Sequence, residues 1–257
     1  MTTSPTTEPA SRNDAPVMLV TGAGRGIGAA IARLAVADGY RVIVNYAASE
    51  AAATALVADL GTAATAIKAD VADEDAVLAM FEAIDAQHGR IDVLVNNAGI
   101  AGGYGPLNTV TAPMMQRLFA VNVTGAFVCA REAARRMRTD LGGRGGSIIN
   151  LSSKAAVLGG PNEWVHYAAT KGAIDTMTTG IAKELAAVGV RVNAVRPGLI
   201  ESDFHEIAPD GRVARMAPII PMLRAGTGAE VAAAVLWLAS PAASYVTGAF
   251  VDVSGGR

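Results

Sequence analysis

At 257 residues, 51% hydrophobic and 17% charged, the chain suits one large α/β domain with a sizeable core better than two small ones. Its 21 basic and 23 acidic residues leave a net charge of −2, which provides no basic field to hold nucleic acid or an anionic membrane. The one cysteine, Cys129, excludes an internal disulfide and reads as a small buried residue, not a catalytic thiol.

Residues 1–15 are polar and rich in Thr, Ser and Pro, without the apolar segment of a secretory signal. No apolar run reaches the 18 or so residues of a membrane span. The expectation is a disordered tail on a soluble cytoplasmic protein. Pro16–Val20 is an apolar run of buried-strand type. It leads straight into Thr21-Gly-Ala-Gly-Arg-Gly-Ile-Gly28 and a helical pattern that Gly39 stops. Strand, glycine loop and helix in succession are the context of a nucleotide-binding loop: glycines admit a pyrophosphate close to the backbone, and the helix N-terminus offers amide donors. The spacing of Gly22, Gly26 and Gly28 is Gly-x-x-x-Gly-x-Gly, not the standard Gly-x-Gly-x-x-Gly.

Arg41–Tyr46 reads as the second strand, followed by a helix from about Ser49 to Leu60. Ala64–Ala69 is a third strand ending at Asp70-Val71, and helix Asp73–His88 follows, closed by Gly89. Ile91–Val95 is the fourth strand, landing on Asn96-Asn-Ala-Gly99. Pro113 marks the first turn of a helix, and that helix and the next carry the chain to Arg138. Ser147–Leu151 is the fifth strand, and a long helix holding Tyr167 and Lys171 runs to about Ala187. Val190–Val195 is the sixth strand, residues 199–227 are irregular, a helix spans about Ala229–Ser240, and Gly248–Val253 is a last strand. The alternation predicts an α/β fold: one doubly wound parallel sheet of Rossmann type, about seven strands in a single domain from residue 16 to 257.

In such a sheet, ligands bind beyond the carboxyl ends of the strands. The glycine loop, Asn45, Asp70, Asn96–Gly99, Ser153 and Pro197-Gly198 all fall at those ends. Tyr167-Ala-Ala-Thr-Lys171 places a phenol and an ammonium four residues apart on one helical face. The cation is expected to pull the phenol's pKa from about 10 toward neutrality, where it can exchange a proton with a carbonyl oxygen.

Thr21-Gly-x-x-x-Gly-x-Gly28, Asn96-Asn-Ala-Gly99, Asn122, Ser153, Tyr167-x-x-x-Lys171 and Pro197-Gly198 together resemble the motif set of the short-chain dehydrogenase/reductase family, in order, over residues 16–257. Within that family the chain is similar to the tetrameric carbonyl reductases, including 3-oxoacyl thioester reductases and sugar dehydrogenases. The resemblance implies an NAD(P)-dependent oxidoreductase acting on a carbonyl or secondary alcohol. Tyr167 would donate or accept the proton, while Lys171 would lower its pKa and hold the nicotinamide ribose. Ser153 would stabilise the substrate oxygen, and Asn122 would hold a water passing protons from Lys171. Ser152 competes with Ser153, which fits the family spacing better.

Cofactor contacts are expected from Gly22, Gly24, Arg25, Gly26, Ile27, Gly28, Asn45, Tyr46, Asp70, Val71, Asn97, Ala98, Gly99, Tyr167, Lys171, Pro197, Gly198, Ile200 and Ser202. The NAD-selecting carboxylate position after strand two is occupied by Asn45, and Arg25 is placed to reach a 2′-phosphate, so NADP(H) is expected over NAD(H). The alternative is that Arg25 lies on the helix surface and both cofactors bind. Asp70 would accept from the adenine amino group, or else cap a helix. Residues 199–227 would form a substrate lid lined by Phe204, His205, Met216 and Met222. His166 and His88 read as structural, and three separated His argue against a catalytic metal. Val231, Val235, Trp237 and Leu238 read as core or interface, and Arg131, Arg135, Arg136 and Arg138 as a solvated or interface face. The family further implies a homotetramer, with the Cys129 and Tyr167 helices at one interface and Gly248–Arg257 at another. A sugar or polyol dehydrogenase with relaxed cofactor use and a non-catalytic nucleotide-sensing protein are the rival functions.

Overall fold

A computed structural model describes residues 14–202, 208 and 211–257. Nearly all of the expected tail, and the lid residues Phe204 and His205, lie outside the described residues. Seven strands form one parallel sheet: β1 (Val17–Val20), β2 (Arg41–Tyr46), β3 (Ala64–Lys68), β4 (Val93–Asn96), β5 (Gly146–Leu151), β6 (Val190–Pro197) and β7 (Phe250–Val253). Their order, β3-β2-β1-β4-β5-β6-β7, reverses direction between β1 and β4. A crevice therefore opens beyond the carboxyl ends of those two strands.

β1 shows why both faces must be covered. All four residues are buried; Val17 and Leu19 join one core, Met18 and Val20 the other. The first core is closed by α3 (Glu74–His88), α5 (Gly125–Met137) and α7 (Val165–Leu185), with Phe81, Met137 and Ile148 fully buried. The second is closed by α1 (Gly26–Ala37), α2 (Glu50–Leu60) and α9 (Gly228–Ala239). In α1 the buried residues are Gly28, Ile31, Ala32 and Ala35, a single helical stripe. Each large side chain so buried contributes roughly 1.5–3 kcal/mol. In α9, Val231, Val235 and Leu238 face inward as expected while Trp237 is exposed.

Three of the departures from the expectation are local. β4 begins at Val93; just before it, the Asp92 carboxylate accepts from the Val17 amide at 2.7 Å while the Asp92 amide donates to the Val17 carbonyl at 2.9 Å, which ties the starts of β1 and β4 together. The helices expected around Pro113–Arg138 form one column, in which α4 (Ala112–Phe119) passes through a π-helical turn, Ala120–Thr124, into α5. Within the supposedly irregular 199–227 segment, Arg212–Met216 forms a short helix, α8, and Ala217–Ile219 a 3-10 turn. Among the described residues no helix is long and apolar enough to cross a membrane.

Candidate active site

A cleft of about 470 Å³ runs along the carboxyl edge of the sheet. One end is the glycine loop. Gly22 and Gly26 adopt φ of +62° and +56°, and a Cβ on Gly28 would stand 2.6 Å from Asn97 Nδ2 and 2.8 Å from the Gly22 carbonyl. Only glycine fits that approach. Arg25 is the α1 N-cap without a side-chain cap bond, and no acidic residue occupies the first turn. The terminal amides and the positive end of the helix are thus presented to the cleft with no competing carboxylate, which fits a pyrophosphate. Asn97 Nδ2 donates to the Thr21 and Gly22 carbonyls at 2.8 and 3.0 Å and ties this loop to the end of β4.

Every expected cofactor residue from Gly22 to Ser202 lines the cleft, joined by Ser153, Tyr167 and Lys171. Lining the cleft is not the same as presenting a side chain to it. Asn45 is buried; its Oδ1 accepts from the Gly22 amide at 3.1 Å, and its Nδ2 donates to the Ile67 and Ala69 carbonyls at 3.3 and 3.0 Å. The expectation that Asn45 occupies the ribose-reading position is corrected accordingly: its amide fastens the glycine loop to β3. The segment Tyr46–Ser49 forms the adjoining wall and contains no carboxylate. Asp70 accepts from the Ala72 amide at 3.0 Å and from Arg117 Nη2 at 2.8 Å. Burial pushes its pKa up, but the Ala72 amide and the Arg117 guanidinium outweigh it and hold the carboxyl below its ordinary range. It is neither a helix cap, since Asp73 caps α3, nor an uncommitted acceptor.

The other end holds Ser153, Tyr167 and Lys171. Ser153 follows β5 and is hydrogen-bonded to the Tyr167 phenol; its Oγ also accepts from the Ala155 amide at 3.1 Å. Ser152 is turned away, its Oγ donating to Asp175 Oδ1 at 2.6 Å. Lys171 Nζ donates to the Leu151 carbonyl at 2.5 Å and stands 5.6 Å from the centre of the Tyr167 ring. The expected acidification of the phenol is not what the chain's own groups produce. Burial pushes Tyr167 above its ordinary value, against the pull of the Ser153 hydrogen bond. Burial likewise pulls Lys171 down to about 8, opposed by Asp175. Desolvation is the larger influence on each, with Lys171 buried and Tyr167 partly buried at the inner end of the cleft.

Asn122 lies on the π-helical turn, behind the cleft wall. Its Oδ1 accepts from the Ile100 amide at 2.8 Å, and its Nδ2 donates to the Ile100 carbonyl at 2.9 Å and to Thr170 Oγ1 at 3.1 Å. The side chain expected to hold a water is therefore committed to the loop that follows Gly99.

The substrate side departs most from expectation. Met216 packs with Leu199, Ile220 and Ala225, and Met222 is exposed over Gly255; neither lines the cleft. Its described walls come instead from Leu158, Glu163, Trp164, Arg212 and Arg257. Arg212 pairs with Glu163 at 2.6 Å and lies over the Trp164 ring at 4.4 Å, while Tyr104 meets the same ring edge-on at 5.4 Å. Glu163 and Trp164 lie in the turn just before α7, Trp164 as its N-cap, so helical spacing does not place them, and the only sequence signal for them is their closeness to Tyr167.

A family model described as enoyl-(acyl carrier protein) reductase matches residues 22–257. The chain belongs to the short-chain dehydrogenase/reductase family. An Escherichia coli oxidoreductase, YgfF, itself described as uncharacterized, is 49% identical over 94% of this chain and 99% of its own length. The 3-oxoacyl-[acyl-carrier-protein] reductase FabG of Staphylococcus aureus is 41% identical over 93% of this chain and 96% of its own. Among solved structures, a 3-ketoacyl-(acyl-carrier-protein) reductase of Brucella melitensis complexed with NADH superposes with a TM-score of 0.89 at 33% identity, covering 94% of this chain and 98% of that one. A blue fluorescent protein from a metagenomic library in complex with NADPH gives 0.87 at 39% identity, covering 96% and 99%. This short-chain dehydrogenase/reductase is thus an oxidoreductase on a Rossmann-like fold, and the family uses NAD(P).

Proposed function

We propose that the protein is an NADP(H)-preferring carbonyl reductase or alcohol dehydrogenase acting on CH–OH donors, with Tyr167 as general acid in reduction and general base in oxidation. The observation that carries this reading is the convergence of Ser153, Tyr167 and Lys171 at one end of a cleft whose other end is the Gly22–Gly28 loop. The loop amides, with Asn97, Ala98 and Gly99, would hold the dinucleotide phosphates, Asp70 and Val71 the adenine edge, and Pro197, Gly198, Ile200 and Ser202 the nicotinamide end. The nicotinamide supplies or accepts the hydride. Ser153 and Tyr167 grip the substrate oxygen, and the phenol gives up its proton as charge builds there. Lys171, 5.6 Å from the centre of the phenol ring, stabilises the phenolate left behind. Asn122 holds the Ile100 backbone in place.

NADP(H) preference rests on Arg25 at the mouth of the loop and on the lack of a carboxylate along Tyr46–Ser49. The match to FabG makes 3-oxoacyl thioesters the first substrates to try. Residues 199–227 are read as the substrate lid and residues 16–257 as one catalytic unit. Assembly is read as a homotetramer, for which Phe127, 44% exposed on α5, is the kind of surface a partner covers. Light scattering checks this; a monomer refutes it.

The test is cofactor oxidation with NADPH and NADH against 3-oxoacyl thioesters, ketones, quinones and sugars, beside Tyr167→Phe and Arg25→Ala. The expected result is a higher kcat/KM with NADPH, a loss of about 10²-fold or more in Tyr167→Phe, and an Arg25→Ala penalty confined to NADPH. Turnover on sugars alone would favour a polyol dehydrogenase. Undiminished turnover in Tyr167→Phe would refute the mechanism.

A further inference from the structure

The proposed mechanism uses Ser153 but leaves unexplained what fixes it. Ser153 stands in a loop after β5, and both of its neighbours are tethered. On one side, Ser152 Oγ donates to Asp175 Oδ1 at 2.6 Å, with the Lys171 carbonyl 3.3 Å away. On the other, Lys154 Nζ donates to Asp252 Oδ2 at 2.7 Å, and its amide donates to the Pro197 carbonyl at 2.9 Å. The two tethers meet at Arg196. Its Nε and Nη2 donate to Asp175 Oδ2 at 3.0 and 2.7 Å, its Nη1 lies 4.0 Å from Asp252 Oδ1, and its guanidinium covers the Phe250 ring at 4.1 Å.

We propose that Asp175 and Arg196 are positioning residues: with Asp252 they close an ionic ring, Ser152–Asp175–Arg196–Asp252–Lys154, that holds Ser153 against Tyr167. Arg196 and Asp175 are mostly shielded, at 18% and 14% exposure, so their pairing is stronger than that of a surface bridge. Asp175 also extends the spacing of Tyr167 and Lys171 by one further turn, which sets its carboxylate on the side of α7 that carries both. The titratable groups beside Lys171 are Tyr167 and Asp175 on its own helix; Arg196 on β6 pairs with Asp175, and behind it stand Asp252 on β7 and Lys154 after β5, while Asn122 on the π turn is uncharged. Of these, Asp175 is the one that favours the Lys171 ammonium.

This inference rests on the proposed roles of Ser153 and Tyr167, and its test has an arm that needs no substrate. The chain has four lysines, Lys68, Lys154, Lys171 and Lys183, so lysine side-chain NMR with Lys171→Arg for assignment follows Lys171 directly. The wild-type midpoint is expected near 8. Removing the neighbouring charge in Asp175→Asn lowers it by about one unit, Asp175→Glu restores it, and Ser152→Ala leaves it in place. In the kinetic arm, Ser152→Ala and Arg196→Met lower kcat about tenfold with KM for NADPH unchanged, while the chain's melting temperature reports any plain loss of stability. An unmoved Lys171 midpoint in Asp175→Asn overturns the electrostatic part. Full kcat in Ser152→Ala and Arg196→Met overturns the positioning part. If Tyr167→Phe also keeps full turnover, the failure lies with the proposed mechanism instead.

Discussion

Asn45→Asp is the sharpest test of how the cleft is built. The substitution keeps size and shape and retains an acceptor for the Gly22 amide, 3.1 Å away. It removes the amide donor that serves the Ile67 and Ala69 carbonyls at 3.3 and 3.0 Å, and it sets a carboxylate against them at a position only 1% exposed. Two lost hydrogen bonds at about 0.5–1.5 kcal/mol each, with desolvated acceptors left behind at about 1–3 kcal/mol in all, sum to roughly 2–6 kcal/mol. Against a typical total of about 5–15 kcal/mol this is a large loss. The variant has one escape, which is to bind a proton and donate again to a carbonyl, so its folded pKa rises above the unfolded value of about 3.9. A raised acid is least harmful below the unfolded pKa, and its penalty grows as pH climbs toward the folded pKa. Urea unfolding of both proteins at about pH 4 and pH 7 measures this. A penalty under about 1 kcal/mol at neutral pH, or one equal at both pH values, would refute the assignment of Asn45 as a fastener.

Three further outcomes follow from the packing. Gly28→Ala drives a Cβ to 2.8 Å from the Ala23 Cα and the Gly22 carbonyl, a strain of about 1–3 kcal/mol that opens the loop; NADPH fluorescence titration should show at least a tenfold loss of affinity with the far-UV spectrum retained. Cys129 is buried and its thiol pushed up to about 12, so a thiol reagent at pH 8 should label it only after denaturant is added. Glu132 is buried at the centre of Arg131, Arg135 and Arg136. Burial pushes its pKa up, but hydrogen bonds from Arg131 and Arg136 and the Arg135 charge outweigh that and hold it low. Its contribution is therefore present above the unfolded value of about 4.3 and lost as pH falls through the folded one. Glu132→Gln should cost about 3 kcal/mol at pH 7 and less near pH 3, read from denaturation midpoints.

The parallel sheet was legible because each strand is a short apolar run and each strand end carries a turn signal. The glycine loop was legible because its spacing can serve little besides close backbone approach. What escaped the sequence were orientations. Nothing in the run Arg41–Tyr46 tells whether the Asn45 amide turns outward to a ribose or inward to two carbonyls; the parallel pairing of Asn45 with Ile67 decides it. The methionines of the lid segment looked like lining because they are apolar and follow the Pro197-Gly198 turn. The helix Arg212–Met216 instead sends Arg212 to the cleft and Met216 to a small core beneath it. The Arg131–Arg138 run reads as a solvated or interface face, and nothing in it shows that Arg131, Arg135 and Arg136 all reach one buried carboxylate, Glu132.

The correction at Tyr167 changes which group sets the pH response of the proposed reaction. A phenol raised by burial stays protonated across the neutral range, so it is always ready to donate and does not itself titrate there. Lys171, brought down to about 8 by the same burial, does. Reduction leaves negative charge on the phenolic oxygen, and an ammonium beside it offsets that charge only while it keeps its proton. The reductive rate should then fall as pH rises through about 8, following Lys171. An acidified phenol would instead fail as it lost its own proton, and the two cases separate when the kinetic limb is compared with the Lys171 midpoint read by lysine side-chain NMR. Removing the Asp175 charge favours the deprotonated form of phenol and ammonium alike, so the limb moves to lower pH in either case; a limb that tracks the Lys171 midpoint in both wild type and Asp175→Asn belongs to the ammonium, and one that departs from it refutes the assignment.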